Sequence, residues 1–263
     1  MPETSDRTFR TSDGVQLHYI VAGQGPLMVL VPGWTMPAFI WEPQIRYFSK
    51  DHRVVALDPR SQGDSEQTFS GQEPHRRARD IQDLLVHLGM GPAVLVGWSM
   101  GAQEVLTLVQ EQGTQGISAV VVVDQGLRLA TDPNKEENAW PSFYKQIISD
   151  PHGSAVKFVR AMFLRPPTEA MLDRLVAAVD KMPAKVRVEL LRHQPLDLTP
   201  ALARLDRPSL FILTTRYKGL KKKLGKALPS ATVEIFEGAG HALFLEEPER
   251  FNRLVGEFIE RHH

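Results

Sequence analysis

The sequence predicts an α/β protein built around a mostly parallel sheet. Six short apolar runs rich in Val, Ile and Leu recur along the chain, and none of them alternates with polar residues. Strands that are covered on both faces have this pattern. Helical stretches lie between the runs, and such alternation is typical of parallel α/β sheets. The runs are Leu27–Val31, Val54–Leu57, Ala93–Val96, Ala119–Val123, Leu210–Leu213 and Val233–Phe236.

The flanking elements can be predicted from local signals. Asp13-Gly14 separates two alternating stretches within residues 7–22, which predicts a β-hairpin at the start of the chain. Amphipathic or apolar periodicity predicts helices over Arg76–Leu88, Met100–Gln112 and Pro248–Arg261. We interpret residues 1–125 and 201–263 together as the core domain.

Residues 126–200 interrupt the alternation of strands and helices, because they contain no convincing strand. Pro-containing breaks divide this segment into four predicted helices. These helices are Trp140–Ser149, Ser154–Leu164, Thr168–Lys181 and Pro183–Arg192. We interpret the segment as a helical cap that lies over the sheet.

Composition excludes several classes of function. The 263 residues include no Cys, which excludes thiol nucleophiles, iron–sulfur clusters and thiolate zinc sites. The sequence also contains no other spacing of metal ligands and no cofactor motif. The 31 basic and 31 acidic residues balance, which argues against a nucleic-acid partner. No apolar run approaches the ~20 residues of a membrane helix. We expect a cytoplasmic monomer or homodimer that acts on a small molecule without a cofactor or metal.

The segment Ala93–Gly101 predicts a nucleophilic serine. A strand runs into Gly-Trp-Ser-Met-Gly, and a helix begins at about Met100. A sharp strand-to-helix turn raises the Ser99 side chain above the strand end, and glycines are needed where the chain packs too tightly for Cβ atoms. The amino end of the helix adds free N–H groups and a partial positive charge. Ser99 is therefore the candidate nucleophile.

His241 is the candidate general base, because a serine hydroxyl is a weak nucleophile on its own. It differs from the other histidines in following the last predicted strand and preceding the terminal helix. This order places His241 on a loop at the carboxyl edge of the sheet. Ser99 lies at the same edge, where α/β proteins hold their sites.

These motifs resemble those of the α/β-hydrolase family along the whole chain. The similarity rests on the elbow around Ser99, on Gly238-Ala-Gly-His241 and on Pro32-Gly33-Trp34. The last motif, with Trp-Glu-Pro-Gln at 41–44, is similar to the branch of bacterial serine esterases and cofactor-free haloperoxidases. Residues 58–65 resemble the family's Asp-x-Arg-Gly-x-Gly-x-Ser loop and depart from it at Ser61. The resemblance implies the α/β-hydrolase fold, with helices on both faces of the sheet and a cap at 126–200.

The resemblance also implies where an oxyanion and a substrate would bind. The two backbone N–H groups of the oxyanion hole belong to Met100 and Trp34. Pro32 replaces the family's His in the second loop, but it removes only its own N–H. Aromatic and Met side chains of the cap suggest an apolar acyl or alcohol group. The predicted substrate-binding residues are Trp98, Trp140, Phe143, Phe158 and Met162.

The acid of the triad is not where most of the family keeps it. Tyr217 stands at that position after the run Leu210–Leu213, and no carboxylate occurs between Arg216 and Pro229. In related enzymes the acid follows the strand after the nucleophile helix, which here gives Asp124. The order Ser99, Asp124, His241 preserves the nucleophile–acid–base order of this fold. Asp124 is the predicted acid, with Glu237 or a degraded triad as alternatives.

The sequence therefore predicts a serine hydrolase that cleaves a carboxylic ester through an acyl-enzyme intermediate. One alternative is a cofactor-independent ring-opening dioxygenase of the quinolone 2,4-dioxygenase type, which resembles the chain in its Pro-Gly-Trp loop and acid position. Another is a non-catalytic ligand receptor, because a chain that has lost the family's acid after Leu213 could bind a ligand without cleaving it. The intact elbow at Ser99 favours the hydrolase.

Overall fold

The computed structural model describes residues 3–89, 91–127, 141–193 and 196–262. Within these residues eight strands form one sheet, in the spatial order β1-β2-β4-β3-β5-β6-β7-β8. The strands are β1 (Ser5–Arg10), β2 (Gln16–Ala22), β3 (Leu27–Val31), β4 (Arg53–Leu57), β5 (Ala93–Trp98), β6 (Ile117–Val123), β7 (Ser209–Thr214) and β8 (Thr232–Phe236).

The sheet is mostly parallel, as the sequence predicts. β1 and β2 form the predicted antiparallel hairpin, and β2 also pairs antiparallel with β4. Every other pairing, from β4 across to β8, is parallel. The carboxyl ends of β3, β5, β6 and β7 therefore meet at one edge, because parallel strands all run in the same direction.

The described residues form eleven α-helices. They are α1 (Glu42–Phe48), α2 (Pro74–His87), α3 (Met100–Gln112), α4 (Pro141–Ser149), α5 (Pro151–Ala161), α6 (Glu169–Lys181), α7 (Ala184–Arg192), α8 (Thr199–Arg204), α9 (Lys218–Ala227), α10 (Leu243–Glu246) and α11 (Pro248–Glu260). Two short 3₁₀ turns, Ala38–Trp41 and Thr215–Tyr217, complete the described elements. No described helix has the length and apolar character that a membrane crossing demands.

Two apolar cores lie on opposite faces of the sheet. One contains side chains of α2, α3, α8 and α9, and the other contains side chains of α1, α5, α6 and α11. Helices therefore cover both faces, which confirms the α/β-hydrolase fold predicted from the sequence. The alternating sides of each buried strand supply apolar residues to both cores.

The helices predicted for the cap correspond to α4–α7, with shifted ends. α5 begins at Pro151, three residues before the predicted start, because the side chain of Asp150 accepts a hydrogen bond from the N–H of Gly153 and caps the helix. The predicted start at Trp140 lies outside the described residues. The division of the chain at 126 and 200 into core and cap stays a prediction.

Candidate active site

Ser99 lies at a strained turn between β5 and α3. Its backbone has φ 53° and ψ −122°, which is rare for a residue with a side chain. A Cβ atom on Gly97 would lie 2.6 Å from the Cα of Ala102, and one on Gly101 would lie 2.4 Å from the carbonyl oxygen of Pro32. Both glycines are therefore sterically required, and they allow the turn that projects Ser99 from the end of the strand.

Asp124 and His241 form a direct hydrogen bond. Asp124 directly follows β6 as a buried residue with φ 43°, and its Oδ2 atom lies 2.7 Å from Nδ1 of His241. Its other oxygen, Oδ1, accepts a hydrogen bond from the N–H of Thr214 at 2.7 Å. The two contacts fix the carboxylate and orient the imidazole. Because Nδ1 faces the acid, Nε2 is the ring nitrogen left for proton transfer.

Neither Glu237 nor Tyr217 supplies the group that bonds to Nδ1 of His241. Glu237 is exposed, and the acid bonded to His241 is Asp124. Tyr217 follows β7 and packs so closely on the loop after Asp124 that a Cβ atom on Gly126 would lie 2.7 Å from its ring. Burial raises the pKa of the Tyr217 hydroxyl, and the nearby Asp124 acts in the same direction. Tyr217 is thus a neutral packing residue beside the acid at ordinary pH.

Trp98 supports the base from within the core. Only 1% of the residue is exposed, and its indole Nε1 donates a hydrogen bond of 2.9 Å to the carbonyl oxygen of His241. The two rings lie 5.1 Å apart between centroids. Trp98 precedes Ser99 in the chain, so this contact joins the end of β5 to the loop that carries His241. The burial of Trp98 and its bond to the loop of His241 favour a positioning role, and its contact with substrate stays a prediction.

Glu246 joins the loop that carries His241 to the loop after α5, and the sequence analysis did not single it out. Its Oε1 accepts hydrogen bonds from the N–H of Gly240 at 2.8 Å and of Leu164 at 3.1 Å, and its Oε2 accepts one from the N–H of Arg165 at 3.1 Å. Backbone N–H partners leave no pattern in residue types, so the sequence carries no signal for this contact.

The proposed oxyanion loop packs directly against the nucleophile. A Cβ atom on Gly33 would lie 3.1 Å from the Cβ of Ser99. The N–H of Met36 donates to the carbonyl of Gly33, and Thr35 has φ 62°, so residues 33–36 form a tight turn with a left-handed third residue. Met100 begins α3, where first-turn N–H groups have no partner within the helix.

Side chains of α4, α5 and α7 form the apolar surface around these two predicted donors. Trp34 and Met100 share a cluster with Ile147 and with side chains of α7. The Trp34 ring contacts two predicted substrate residues, Phe143 at 5.9 Å and Phe158 at 4.6 Å between ring centroids. Both phenylalanines are partly exposed, which suits contact with a bound molecule.

The remaining predicted substrate residues do not line this surface. Met162 is buried in the main core, and its carbonyl oxygen accepts a hydrogen bond from the N–H of Ala242 beside the base. Met162 therefore supports the loop that carries His241, and its contact with substrate stays a prediction. Trp140 lies outside the described residues.

One cluster among the described residues has the residue types of a metal site. Ligand atoms of His18, Asp58 and Asp64 lie within 4.8 Å of one another. The carboxylate of Asp58, however, already accepts hydrogen bonds from the N–H groups of Ala38 and Asp64 and contacts Nδ1 of His18. These contacts hold the loop after β4, so the cluster has a structural explanation.

The chain is similar to known proteins over most of its length. The sequence profile described as the alpha/beta hydrolase family matches residues 28–254. A non-heme chloroperoxidase of Kitasatospora aureofaciens is 24% identical over 95% of the chain and 98% of its own length. A pimeloyl-[acyl-carrier protein] methyl ester esterase of Vibrio atlanticus (strain LGP32) is 27% identical over 93% and 98%. The crystal structure of a bromoperoxidase from Bacillus anthracis has the same fold, with a TM-score of 0.90 at 22% identity over 97% and 100%.

Proposed function

The chain belongs to the alpha/beta hydrolase family, and we propose that it is a serine hydrolase that cleaves a carboxylic ester through an acyl-enzyme intermediate. The observation that carries the proposal is the hydrogen bond of 2.7 Å between Asp124 and His241, beside a strained Ser99 elbow. A nucleophile, a base and an acid that orients the base are the parts that such a reaction requires.

The first half of the reaction forms the acyl-enzyme. Oγ of Ser99 attacks the ester carbonyl carbon while Nε2 of His241 takes the hydroxyl proton, and the carbonyl π electrons move onto oxygen. The N–H groups of Trp34 and Met100 stabilise that oxyanion. When the tetrahedral intermediate collapses, the C–O bond to the alcohol breaks, and His241 gives its proton to the leaving oxygen.

The second half repeats the same steps with water. His241 removes a proton from a water molecule, which attacks the acyl carbon attached to Ser99. Collapse of the new intermediate breaks the bond to Oγ, and His241 returns the proton to the serine. The acid product leaves, and Asp124 keeps the imidazole oriented throughout both halves.

The substrate we propose carries an apolar acyl or alcohol group. Trp34, Met100, Phe143 and Phe158 form an apolar surface beside the proposed oxyanion donors. The relatives with ester hydrolysis in their names agree with this class, since one of them is named for a methyl ester. Burial of one methylene on such a surface contributes about 0.8 kcal/mol, so longer apolar chains would bind more tightly.

A ring-opening dioxygenase is the second candidate, because its acid also follows the strand that here is β6, directly before Asp124. In that reaction His241 would act as base on a substrate hydroxyl, and no acyl-enzyme would form at Ser99. The receptor alternative is weakened, because it depends on a lost acid and Asp124 supplies one to His241.

Labelling with a fluorophosphonate tests the proposal. We expect one adduct, located at Ser99 by mass spectrometry, and turnover of p-nitrophenyl esters that rises with acyl length. Ser99→Ala should lose both, while Ser154→Ala, at a buried serine of α5, should keep both. An unlabelled Ser99 without esterase activity would overturn the proposal, and oxygen uptake with a hydroxyquinolone would then support the dioxygenase.

A further inference from the structure

We infer that Gln62 is a positioning residue for the oxyanion hole, an inference that rests on the proposed function. Gln62 is 1% exposed and lies in the loop after β4. Its Nε2 donates hydrogen bonds to the carbonyl oxygens of Gly33 at 3.0 Å and Met36 at 2.8 Å. One side-chain amide thus spans both ends of the turn that holds Trp34.

The bond to Gly33 acts on the proposed oxyanion donor itself. The carbonyl of Gly33 and the N–H of Trp34 belong to the same peptide group, which is planar and trans. Fixing the direction of the carbonyl therefore fixes the direction of the N–H. A hydrogen bond accepted by the carbonyl also polarises the peptide group and strengthens its N–H as a donor.

The turn needs such support because its geometry is strained. Thr35 has φ 62°, a left-handed backbone conformation that side chains other than glycine rarely adopt. Strain of this kind persists only where the surroundings hold the backbone. The two hydrogen bonds from Gln62 supply that restraint from one side, and the close packing of Gly33 on Ser99 supplies it from the other.

A buried ion pair holds Gln62 in the required orientation. Its Oε1 accepts a hydrogen bond from Arg77 Nη2 at 2.8 Å, so its amide nitrogen must face the turn. Arg77 also donates through Nε to Glu104 at 2.5 Å and through Nη1 to the carbonyl oxygen of Arg60 at 3.0 Å. Arg77 and Glu104 are both 2% exposed.

Glu104 connects this series of contacts to α3. Glu104 lies on α3, the helix that begins at Met100 and follows Ser99. The contacts from Glu104 through Arg77 and Gln62 therefore tie the Trp34 peptide group to the helix that carries the other proposed donor. Both donors of the oxyanion hole are thus held relative to one rigid element.

The test replaces Gln62 by Met, which has a similar shape and cannot donate to the carbonyls. Losing an oxyanion donor costs about 100- to 1,000-fold in kcat, so a misdirected donor should lower kcat by at least about 10-fold, with KM changed less than 3-fold. Gln67→Met is the matched control, since Gln67 lies in the same loop, is exposed and donates to the carbonyl of Ser61.

A thionoester separates positioning from a general loss of structure. Sulfur accepts hydrogen bonds weakly, so wild-type protein should prefer the ester strongly over its thiono analogue, and Gln62→Met should reduce that ratio by about the factor by which kcat falls. Gln62→Glu, which keeps the acceptor for Arg77, is measured in the same way in case the Met variant does not fold. Wild-type kcat and an unchanged ester-to-thionoester ratio in a folded variant would overturn the inference alone, whereas an unlabelled Ser99 in wild-type protein would overturn the proposed function.

Discussion

Nδ1 of His241 lies 2.7 Å from Oδ2 of Asp124, although 117 residues separate them in the chain. Asp124 directly follows β6, whereas the strand that most of the family uses for its acid is β7, next to β6 in the sheet. Adjacent parallel strands end at the same edge, so a carboxylate at either end can reach the same imidazole. The backbone N–H of Thr214, at the end of β7, still contributes by donating to Asp124.

Replacement of Asp124 by Asn tests its role as the acid. An amide cannot stabilise the imidazolium and favours the wrong tautomer of His241, so kcat should fall by about 10³- to 10⁴-fold. Tyr217→Phe is the matched control, because it removes only a hydroxyl from the position where the family keeps its acid. Steady-state kinetics with p-nitrophenyl esters measures both, and near wild-type kcat in Asp124→Asn would show that the acid lies elsewhere.

Gly101→Ala should destabilise the protein strongly. Its Cβ atom would lie 2.4 Å from the carbonyl oxygens of Val31 and Pro32, and both are rigid backbone atoms. Overpacking of this kind costs about 1–3 kcal/mol or more in the free energy of unfolding. Gly225→Ala is the control, since a Cβ atom there meets nothing within 4 Å and alanine favours the helix by about 1 kcal/mol. Urea unfolding of both variants measures the difference, and equal stability would contradict the packing argument.

Removal of the Glu246 carboxylate should loosen the loop of the base. Glu246→Ala leaves the N–H groups of Gly240, Leu164 and Arg165 without their charged acceptor. Hydrogen bonds to charged groups contribute about 1.5–3 kcal/mol, so we expect a loss of about 2 kcal/mol in the free energy of unfolding together with a lower kcat. The exposed Glu249→Ala should change neither quantity, and a Glu246→Ala variant that behaves like it would remove Glu246 from the site.

His18 should make stability depend on pH. Burial alone would lower the pKa of His18, but its hydrogen bonds to Asp58 and Asp6 raise that pKa above 6.5. A raised pKa in the folded state means that the added stability is complete below the ordinary value and is lost as pH rises through the folded value. The free energy of unfolding of wild-type protein should therefore exceed that of His18→Gln by more at about pH 6 than at about pH 9.

Urea titrations at the two pH values measure this difference. His75→Gln, at an exposed position on α2, shows how much of any pH effect follows from removing a histidine. A gap between wild-type protein and His18→Gln that does not change with pH would contradict the argument.

The sequence predicts the fold well because burial on both faces of a parallel strand leaves a clear record in residue types. The six apolar runs all became strands, and the actual strands extend them by up to two residues at an end, as at Ala93–Trp98. The sequence did not predict several short helices, among them α1 and α8, because four to seven residues do not show a helical period. Their stability comes from packing on the sheet and not from their own sequence.

The sequence alone singles out the candidate nucleophile and the candidate base, because two glycines frame Ser99 and because His241 follows a recognisable strand. For the acid, the sequence predicted Asp124 and left two alternatives open, namely Glu237 and a degraded triad without an acid. The roles of Trp98, Gln62 and Glu246 depend on hydrogen bonds with backbone groups far away in the chain, and such partners do not restrict nearby residue types. Residue patterns along the chain therefore predict the candidate nucleophile and base. The contact between Asp124 and His241 and the support of the oxyanion turn depend instead on which strands become neighbours in the sheet.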